Sequence, residues 1–168
     1  MAVEYWGKAF FIQARSDFEA MDVLGRAKAL PDCRRFHYLQ MSSEKLAKAI
    51  LFSNTPSSET PEFTHTALVA ALQSLKRNPR LRSAMGYKKS THFARYVDSL
   101  LSTAKWVEQL APSVAGIKNP NPEYPWIDMK SGYIQIPANN FALGAGIDPI
   151  HLARFEGLLR SVIHHGIF

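Results

Sequence analysis

The sequence predicts a mostly α-helical protein, arranged as an up-and-down bundle of four to six helices. Two observations predict it. Apolar residues recur at three- and four-residue steps over several long stretches, and prolines or short polar loops separate those stretches. Short connections between amphipathic helices favour antiparallel neighbours. A Pro-rich loop and a small β-hairpin are expected after the fifth helix.

The segment from 32 to 52 is predicted to be the central helix of the bundle, because it contains neither Gly nor Pro. Asp32 is expected to cap it, since a carboxylate can accept hydrogen bonds from the free N–H groups of the first turn. At 100° per residue, one face carries Phe36, Leu39, Ser43, Leu46, Ala47 and Ile50.

A first helix is predicted from about residue 4 to residue 30, ended by Pro31, so that helices one and two form an antiparallel hairpin. Gly7 and Gly25 would allow the two helices to approach closely. Asp17 falls within the apolar stripe of this helix, where a charge needs a partner. It either pairs with Arg35, His37 or Lys48, or it lies near the surface and meets water.

Three further helices follow in the prediction. Thr60-Pro61 starts the third, in which His65 is expected to be a hydrogen-bonded core residue, and Asn78-Pro79 opens a short fourth that ends near Gly86. Ser90 or Thr91 begins a long fifth helix, which Pro112 stops. Its core-facing residues are Phe93, Val97, Leu100, Ala104, Val107 and Ala111.

The composition changes after Pro112, because four prolines exclude a long helix from 120 to 137. An ordered loop at 119–126, held by Tyr124 and Trp126, is expected there. WIDM and YIQI flank Lys130-Ser131-Gly132 and predict a β-hairpin packed against the bundle. A last helix runs from Asp148-Pro149 to about His164.

The chain of 168 residues fits one domain, with a bundle core at 1–111, the loop and hairpin at 112–148 and a C-terminal helix at 149–165. A lone Cys33 forms no internal disulfide and no thiolate metal cluster, and a cytoplasmic location is natural for it. No apolar run approaches 18 residues, so no membrane span is expected. No signal peptide is expected either, because Lys8, Gln13, Arg15 and Asp17 interrupt the apolar residues of the first helix. Neither a cofactor nor a metal ion is indicated.

A net charge of +6 is compatible with a nucleic-acid partner, and much of it lies between residues 76 and 95, where Asp and Glu are absent. Tyr87, His92, Phe93 and Tyr96 are interleaved with the cations, as phosphate contact and base stacking would require. The alternative is a solvated face that keeps the protein soluble. The cations are Lys76, Arg77, Arg80, Arg82, Lys88, Lys89 and Arg95.

Polar residues border the apolar face of the central helix. His37, Glu44 and Lys48 follow one edge and Arg35 the other, and Asp17 could join them from the first helix. Together they could line a groove for a nucleotide phosphate, or they could be solvated shoulders of the helix.

The central helix, RRFHYLQMSSEKLAKA, resembles that of HEPN-like domains, the "higher eukaryotes and prokaryotes nucleotide-binding" helical family. THTALVAAL, VEQLAPSVAG and NPNPEYPW resemble segments of an uncharacterised bacterial branch of that family. The resemblance implies a non-catalytic module that binds RNA, a nucleotide or a protein partner. It also implies a homodimer and a context of bacterial defence or toxin–antitoxin systems. A structural dimeric subunit is a further alternative.

Many HEPN-like ribonucleases carry an Arg followed four to six residues later by a His. The Arg binds the phosphodiester charge and the His moves protons, without a metal ion. The pattern occurs here as Arg160 and His165, outside the segment that resembles the family, and Arg35 with His37 is an alternative pair. The sequence contains neither a Gly-rich phosphate loop nor a Ser/His/Asp pattern.

Overall fold

The computed structural model describes residues 5–27, 29–56, 67–116, 120–141 and 147–166. Most of them are helical, and β1 and β2 pair as an antiparallel hairpin, so the predicted fold class is confirmed. In chain order the elements are α1 Trp6–Arg26, α2 Asp32–Leu51, α3 Leu68–Leu75, α4 Pro79–Ala84, α5 Ser90–Asp98, α6 Leu101–Gln109, α7 Pro112–Ala115, β1 Trp126–Ile127, β2 Ile134–Gln135, α8 Pro137–Asn140 and α9 Pro149–His165.

The first two helices form the predicted antiparallel hairpin. Gly7 at the start of α1 donates its N–H to the carbonyl of Phe52 at 3.1 Å, just beyond the end of α2. Midway along the pair, the Ser42 hydroxyl donates to the carbonyl of Ala14 at 2.9 Å. The ends differ from the prediction, since α1 ends at Arg26 and Pro31, not Asp32, is the residue that precedes α2.

α2 lies at the centre of the fold, in contact with α1, α3, α6 and α8. Its predicted apolar face is confirmed, because Phe36, Leu39, Leu46 and Ala47 are buried and Ile50 is half-buried. Burial of such side chains removes apolar area from water and is the main favourable contribution to folding. The central helix therefore holds its neighbours in place.

The predicted fifth helix is interrupted. α5 ends at Asp98 and α6 begins at Leu101, although the core-facing residues predicted on both halves are buried. At the break, the Ser99 hydroxyl donates to the carbonyl of Tyr96 at 2.7 Å, and the Leu100 N–H bonds three residues back, to Val97. A serine that bonds to its own backbone competes with the helical pattern, which explains a break that apolar spacing does not reveal.

The start of α4 agrees with the prediction, since the Asn78 side chain accepts a hydrogen bond from the N–H of Leu81 at 2.9 Å. Gly86 follows the helix with φ +76°, a conformation that favours glycine. The predicted start of the third helix, with Thr60, Pro61 and His65, lies outside the described residues.

Of the two residues expected to hold the loop, Trp126 is buried and Tyr124 is not. Trp126 is buried and lies edge-on to Phe141, with ring centroids 6.1 Å apart. Tyr124, however, is 55% exposed. The loop is instead ordered by Asn121, which is buried and whose side-chain oxygen accepts from the N–H groups of Glu123 and Tyr124. Two short helices that were not predicted, α7 and α8, each begin with a proline.

α9 begins and ends as predicted. The Asp148 carboxylate accepts from the N–H of Ile150 at 2.9 Å, and Gly166 ends the helix in the left-handed conformation. Leu152, Phe155 and Leu159 are buried against the remaining helices. Within the described residues, the helices are all too short or too polar to span a bilayer.

Candidate nucleic-acid interface

A cavity of about 430 Å³ opens where the end of α3 meets the starts of α4 and α5. Among the residues that the structure describes, its lining contains three cations and two hydroxyl side chains but no Asp or Glu. The lining residues are Gln73, Lys76, Arg77, Asn78, Pro79, Arg82, Ser90, Thr91 and Ala94. Three short elements thus bring donor groups from separate parts of the chain to one concave site.

Two of the three cations in the cavity have no side-chain hydrogen bond or ion pair with a described residue. The ammonium group of Lys76 donates a hydrogen bond to the carboxylate of Asp98 at 2.5 Å. In contrast, neither Arg77 nor Arg82 has a side-chain hydrogen bond or ion pair to any described residue. Arg82 is half-buried and its Nε atom is shielded from solvent. A guanidinium without a protein acceptor in a concave site favours an anionic ligand.

The start of α5 adds to the positive potential of the cavity. The residue before the helix is Lys89, which provides no side-chain cap, and the first turn contains no acidic residue. Ser90 and Thr91 open the helix, line the cavity and are exposed. The N–H groups of a first turn lack intrahelical partners and favour an anion, so the two hydroxyl groups and this turn supplement the arginines.

The remaining cations of the basic segment lie outside the cavity lining. Arg80, Lys88, Lys89 and Arg95 are all exposed, and none of them forms an ion pair with a residue that the structure describes. The cavity is therefore flanked by additional positive charge on α4, on α5 and on the connection between them. Such an arrangement allows a polyanion to extend beyond the cavity.

The aromatic residues of this segment face the core, which corrects the expectation that they stack on bases. Phe93 is fully buried, and the half-buried ring of Tyr87 lies 5.5 Å from Phe93 and 5.4 Å from Tyr96. Tyr96 donates its hydroxyl to the carbonyl of Arg154, and burial raises its pKa to about 12. Only His92 of this aromatic set is exposed. Tyr96 therefore connects α5 to α9, and three of the four aromatic side chains are not free to stack on bases.

Among the residues predicted to line a groove along α2, Glu44 and Lys48 bind each other, whereas the others bind different neighbours. Asp17 does form an internal ion pair, but its partner is Lys45, at 2.5 Å, and not one of the three residues expected. Glu44 pairs with Lys48 on the same helix, also at 2.5 Å, and both side chains are largely buried. Each charge is thereby compensated within the protein.

The other two predicted groove residues also lie apart. Arg35 donates to Glu156 on α9, whereas the ring of His37 lies 3.7 Å from the carboxylate of Glu123 in the Pro-rich loop. The structure therefore does not bring the predicted groove residues together at one site.

Arg160 lies on α9 and binds Asp22 on α1 through both terminal nitrogens, at 2.6 and 2.7 Å. This contact holds the pKa of the Asp22 carboxyl below its ordinary value. A cavity of about 250 Å³ adjoins the pair, and the histidine that lines it is His164. His165 is exposed and is not among the lining residues.

No family model, curated protein or solved structure matches this chain. The HEPN-like resemblance is therefore untested and stays a prediction.

Sequence reasoning identified the three cations of the cavity but missed the groups that accompany them. Gln73, Ser90 and Thr91 also line it. The sequence around the two hydroxyl residues could have indicated an anion site. They begin a helix directly after a lysine, within a segment free of carboxylates. Such a start has no acidic cap, which is the condition under which a first turn can bind an external anion.

Proposed function

We propose that the protein is a non-catalytic, HEPN-like RNA-binding module whose contact surface is the cavity at the start of α5 with its flanking cations. The observation that carries the proposal is the lining of that cavity. Lys76, Arg77 and Arg82 lie at one concave site of about 430 Å³, and none of the described lining residues carries a carboxylate. Converging cations are the means by which proteins bind phosphate groups.

The same lining indicates how RNA would be recognised. Arg77 and Arg82 have no acceptor among the described residues, so their guanidinium groups can each bind phosphate oxygens through two N–H groups. The rings of Tyr87, Phe93 and Tyr96 pack against one another, and the exposed ring of His92 is not among the described lining residues, so the cavity offers no platform for base stacking within the described chain. Binding is therefore expected to depend on the backbone and to vary little with base sequence. A single strand can bend into a concave site more easily than a duplex can.

The test is the salt dependence of single-stranded RNA binding, measured by fluorescence anisotropy between about 50 and 200 mM salt. The logarithm of the association constant should fall as the logarithm of salt concentration rises, with a slope of about −2 if only the three cations of the cavity contact phosphates and a steeper slope if the flanking cations also do. The Arg77→Glu/Arg82→Glu variant should bind much more weakly and with a smaller slope.

A matched control is Lys8→Glu/Arg34→Glu, which makes the same change in net charge at exposed positions on α1 and α2. It should bind nearly as well as the wild-type protein. Equal loss in both variants would mean that net charge alone governs binding, and a flat salt response would remove the cavity as a phosphate site.

Gel analysis of the incubated RNA tests the non-catalytic part of the proposal. The RNA should be recovered intact, because Arg160 is engaged by Asp22 and His165 does not line the adjoining cavity. Cleavage that the His165→Ala variant abolishes would overturn this part.

A further inference from the structure

We infer that the cavity at the start of α5 binds the terminal phosphomonoester of an RNA strand, in preference to the phosphodiesters within it. This inference rests on the proposed function, because it names the part of the RNA that the cavity takes. Three independent features support it: the charge of the site, the directions from which its donors come, and its size.

The charge of the site matches a dianion. The lining contains three cations, and the only carboxylate bonded to any of them among the described residues is that of Asp98, on Lys76. Two positive charges therefore remain, chiefly those of Arg77 and Arg82. A terminal phosphate carries about −1.5 to −2 charges at neutral pH, whereas a phosphodiester carries one. The terminal group thus complements the site, and an internal phosphate leaves a positive charge uncompensated.

The donors reach the cavity from three elements. Lys76 and Arg77 follow α3, Arg82 comes from α4, and Ser90 with Thr91 begins α5. A phosphomonoester presents three terminal oxygens, so each of the three groups of donors can meet its own acceptor. A phosphodiester has two such oxygens, and its chain must also leave the site in both directions. The three-sided arrangement therefore fits the end of a strand.

The size of the cavity favours a phosphate that is attached to a nucleoside. A volume of about 430 Å³ lies within the range of roughly 300–1,000 Å³ that is usual for small-molecule pockets. In the part of the chain that the structure describes, the lining contains no aromatic side chain to sandwich a base. We therefore expect selectivity for the phosphorylated end of the strand, with little discrimination between the four bases.

The experiment compares one short single-stranded RNA in three forms: 5′-phosphorylated, 3′-phosphorylated, and with hydroxyl groups at both ends. Anisotropy with an internally placed fluorophore gives a dissociation constant for each form. At least one phosphorylated form should bind about tenfold more tightly than the form with two hydroxyl ends, through the added charge-assisted hydrogen bonds. The two phosphorylated forms distinguish the 5′ end from the 3′ end as the source of the monoester.

Variants separate the cavity from its surroundings. Arg77→Ala and Arg82→Lys should each lower the preference for the phosphorylated end. The first removes a guanidinium group, and the second retains the positive charge but not the two-pronged donor geometry. Arg77 is exposed, so its replacement does not disturb the core, and thermal unfolding checks the fold of both variants. Lys88→Ala/Lys89→Ala replaces exposed cations outside the described lining. It should lower the affinity for all three RNAs by a similar factor.

The outcomes distinguish the two proposals. Equal, salt-sensitive binding of all three RNAs would overturn the end preference and leave the proposed function standing. Absence of salt-sensitive binding to any of them would overturn both. If a phosphoserine peptide displaced the phosphorylated RNA more effectively than the matching mononucleotide did, the ligand would be a modified protein, and the inference would be wrong.

Discussion

Glu108 on α6 caps the start of α3 by accepting a hydrogen bond from the backbone N–H of Leu68 at 2.8 Å. The same carboxylate oxygen accepts from the N–H of Val69 at 3.2 Å. The two N–H groups belong to the first turn of α3, where no intrahelical acceptor exists for them. A single carboxylate therefore links two helices that are about 40 residues apart in the chain.

We expect Glu108→Ala to lower the free energy of unfolding by about 1–2 kcal/mol, because it removes the acceptor for the N–H groups of Leu68, which is buried, and Val69, which is half-buried. Glu108→Gln keeps an acceptor oxygen and should lose less. Urea denaturation followed by circular dichroism measures both. Gln109→Ala, at the exposed neighbouring position, is the control. A loss as large at Gln109 as at Glu108 would contradict a capping role.

The ion pair between Asp17 and Lys45 lies mostly out of water, with Asp17 only 6% exposed. Replacing one member leaves the other charge uncompensated, so Lys45→Met should destabilise the protein by about 3 kcal/mol. The double variant Asp17→Leu/Lys45→Met removes both charges and should be clearly more stable than that single variant. A double-mutant cycle, with each free energy of unfolding measured by urea denaturation, gives the interaction free energy between Asp17 and Lys45. Additive effects of the two substitutions would show that the pair does not act as a unit.

Gly7 is required where α1 approaches the end of α2. A Cβ atom at this position would lie 2.5 Å from the Cα of Ser53 and 2.9 Å from the carbonyl oxygen of Ala49, both of them backbone atoms. We expect Gly7→Ala to destabilise the protein by about 2 kcal/mol, because backbone atoms must move to relieve the overlap. The melting temperature measures the change.

Gly25→Ala is the matched control on the same helix. Its added methyl group would meet only the flexible side chain of Arg35, at 3.1 Å. Alanine is the better helix former, so this variant should be neutral or slightly more stable than the wild-type protein. Destabilisation at residue 25 equal to that at residue 7 would argue against close helix approach as the cause.

Glu156 and Asp22 should give opposite dependences of stability on pH. Burial raises the pKa of Glu156 above its ordinary value of 4.5, although Arg35 acts in the opposite direction. The native state then holds this proton more tightly than the unfolded state does. The free energy of unfolding therefore falls as the pH rises from about 4.5 through the folded-state pKa of Glu156. Glu156→Gln should remove that part of the pH dependence.

For Asp22 the sign is reversed, because Arg160 lowers its pKa below 3.8. Its contribution is present above that pH and is lost as the pH falls through the folded-state pKa. Asp22→Asn should therefore be less stable than the wild-type protein at neutral pH and similar to it in acid. Urea denaturation at a series of pH values measures both variants. A difference between Asp22→Asn and the wild-type protein that did not change with pH would contradict this account.

The extent to which sequence predicted structure differs between local and long-range features. The apolar face of α2 and the starts of α4 and α9 were correctly predicted, because periodicity and capping residues act within a few positions. The break at Ser99 was missed, since a serine side chain bonding to its own helix leaves the apolar spacing unchanged. The partner of Asp17 was wrong because the depth and rotation of α1 against α2 are set by packing.

The candidate site shows the same division. The basic segment was visible in the sequence, but the orientation of its rings was misjudged, although Phe93 belongs to the apolar series of its own helix and had to face the core. The cavity could not be predicted, because it depends on how the end of α3 meets two other short helices. Long-range juxtaposition of this kind leaves no periodic signal.

The β-hairpin is attached to the helices through the indole of Trp126, whereas Ile127, Tyr133 and Ile134 are exposed. Isolated two-stranded ribbons are marginal in water. The hairpin should therefore open on its own, at a lower free energy than global unfolding, and the backbone amides of β1 and β2 should exchange with deuterium sooner than those of α2. Trp126→Ala would then release the ribbon while the exchange protection of the helical interior persisted.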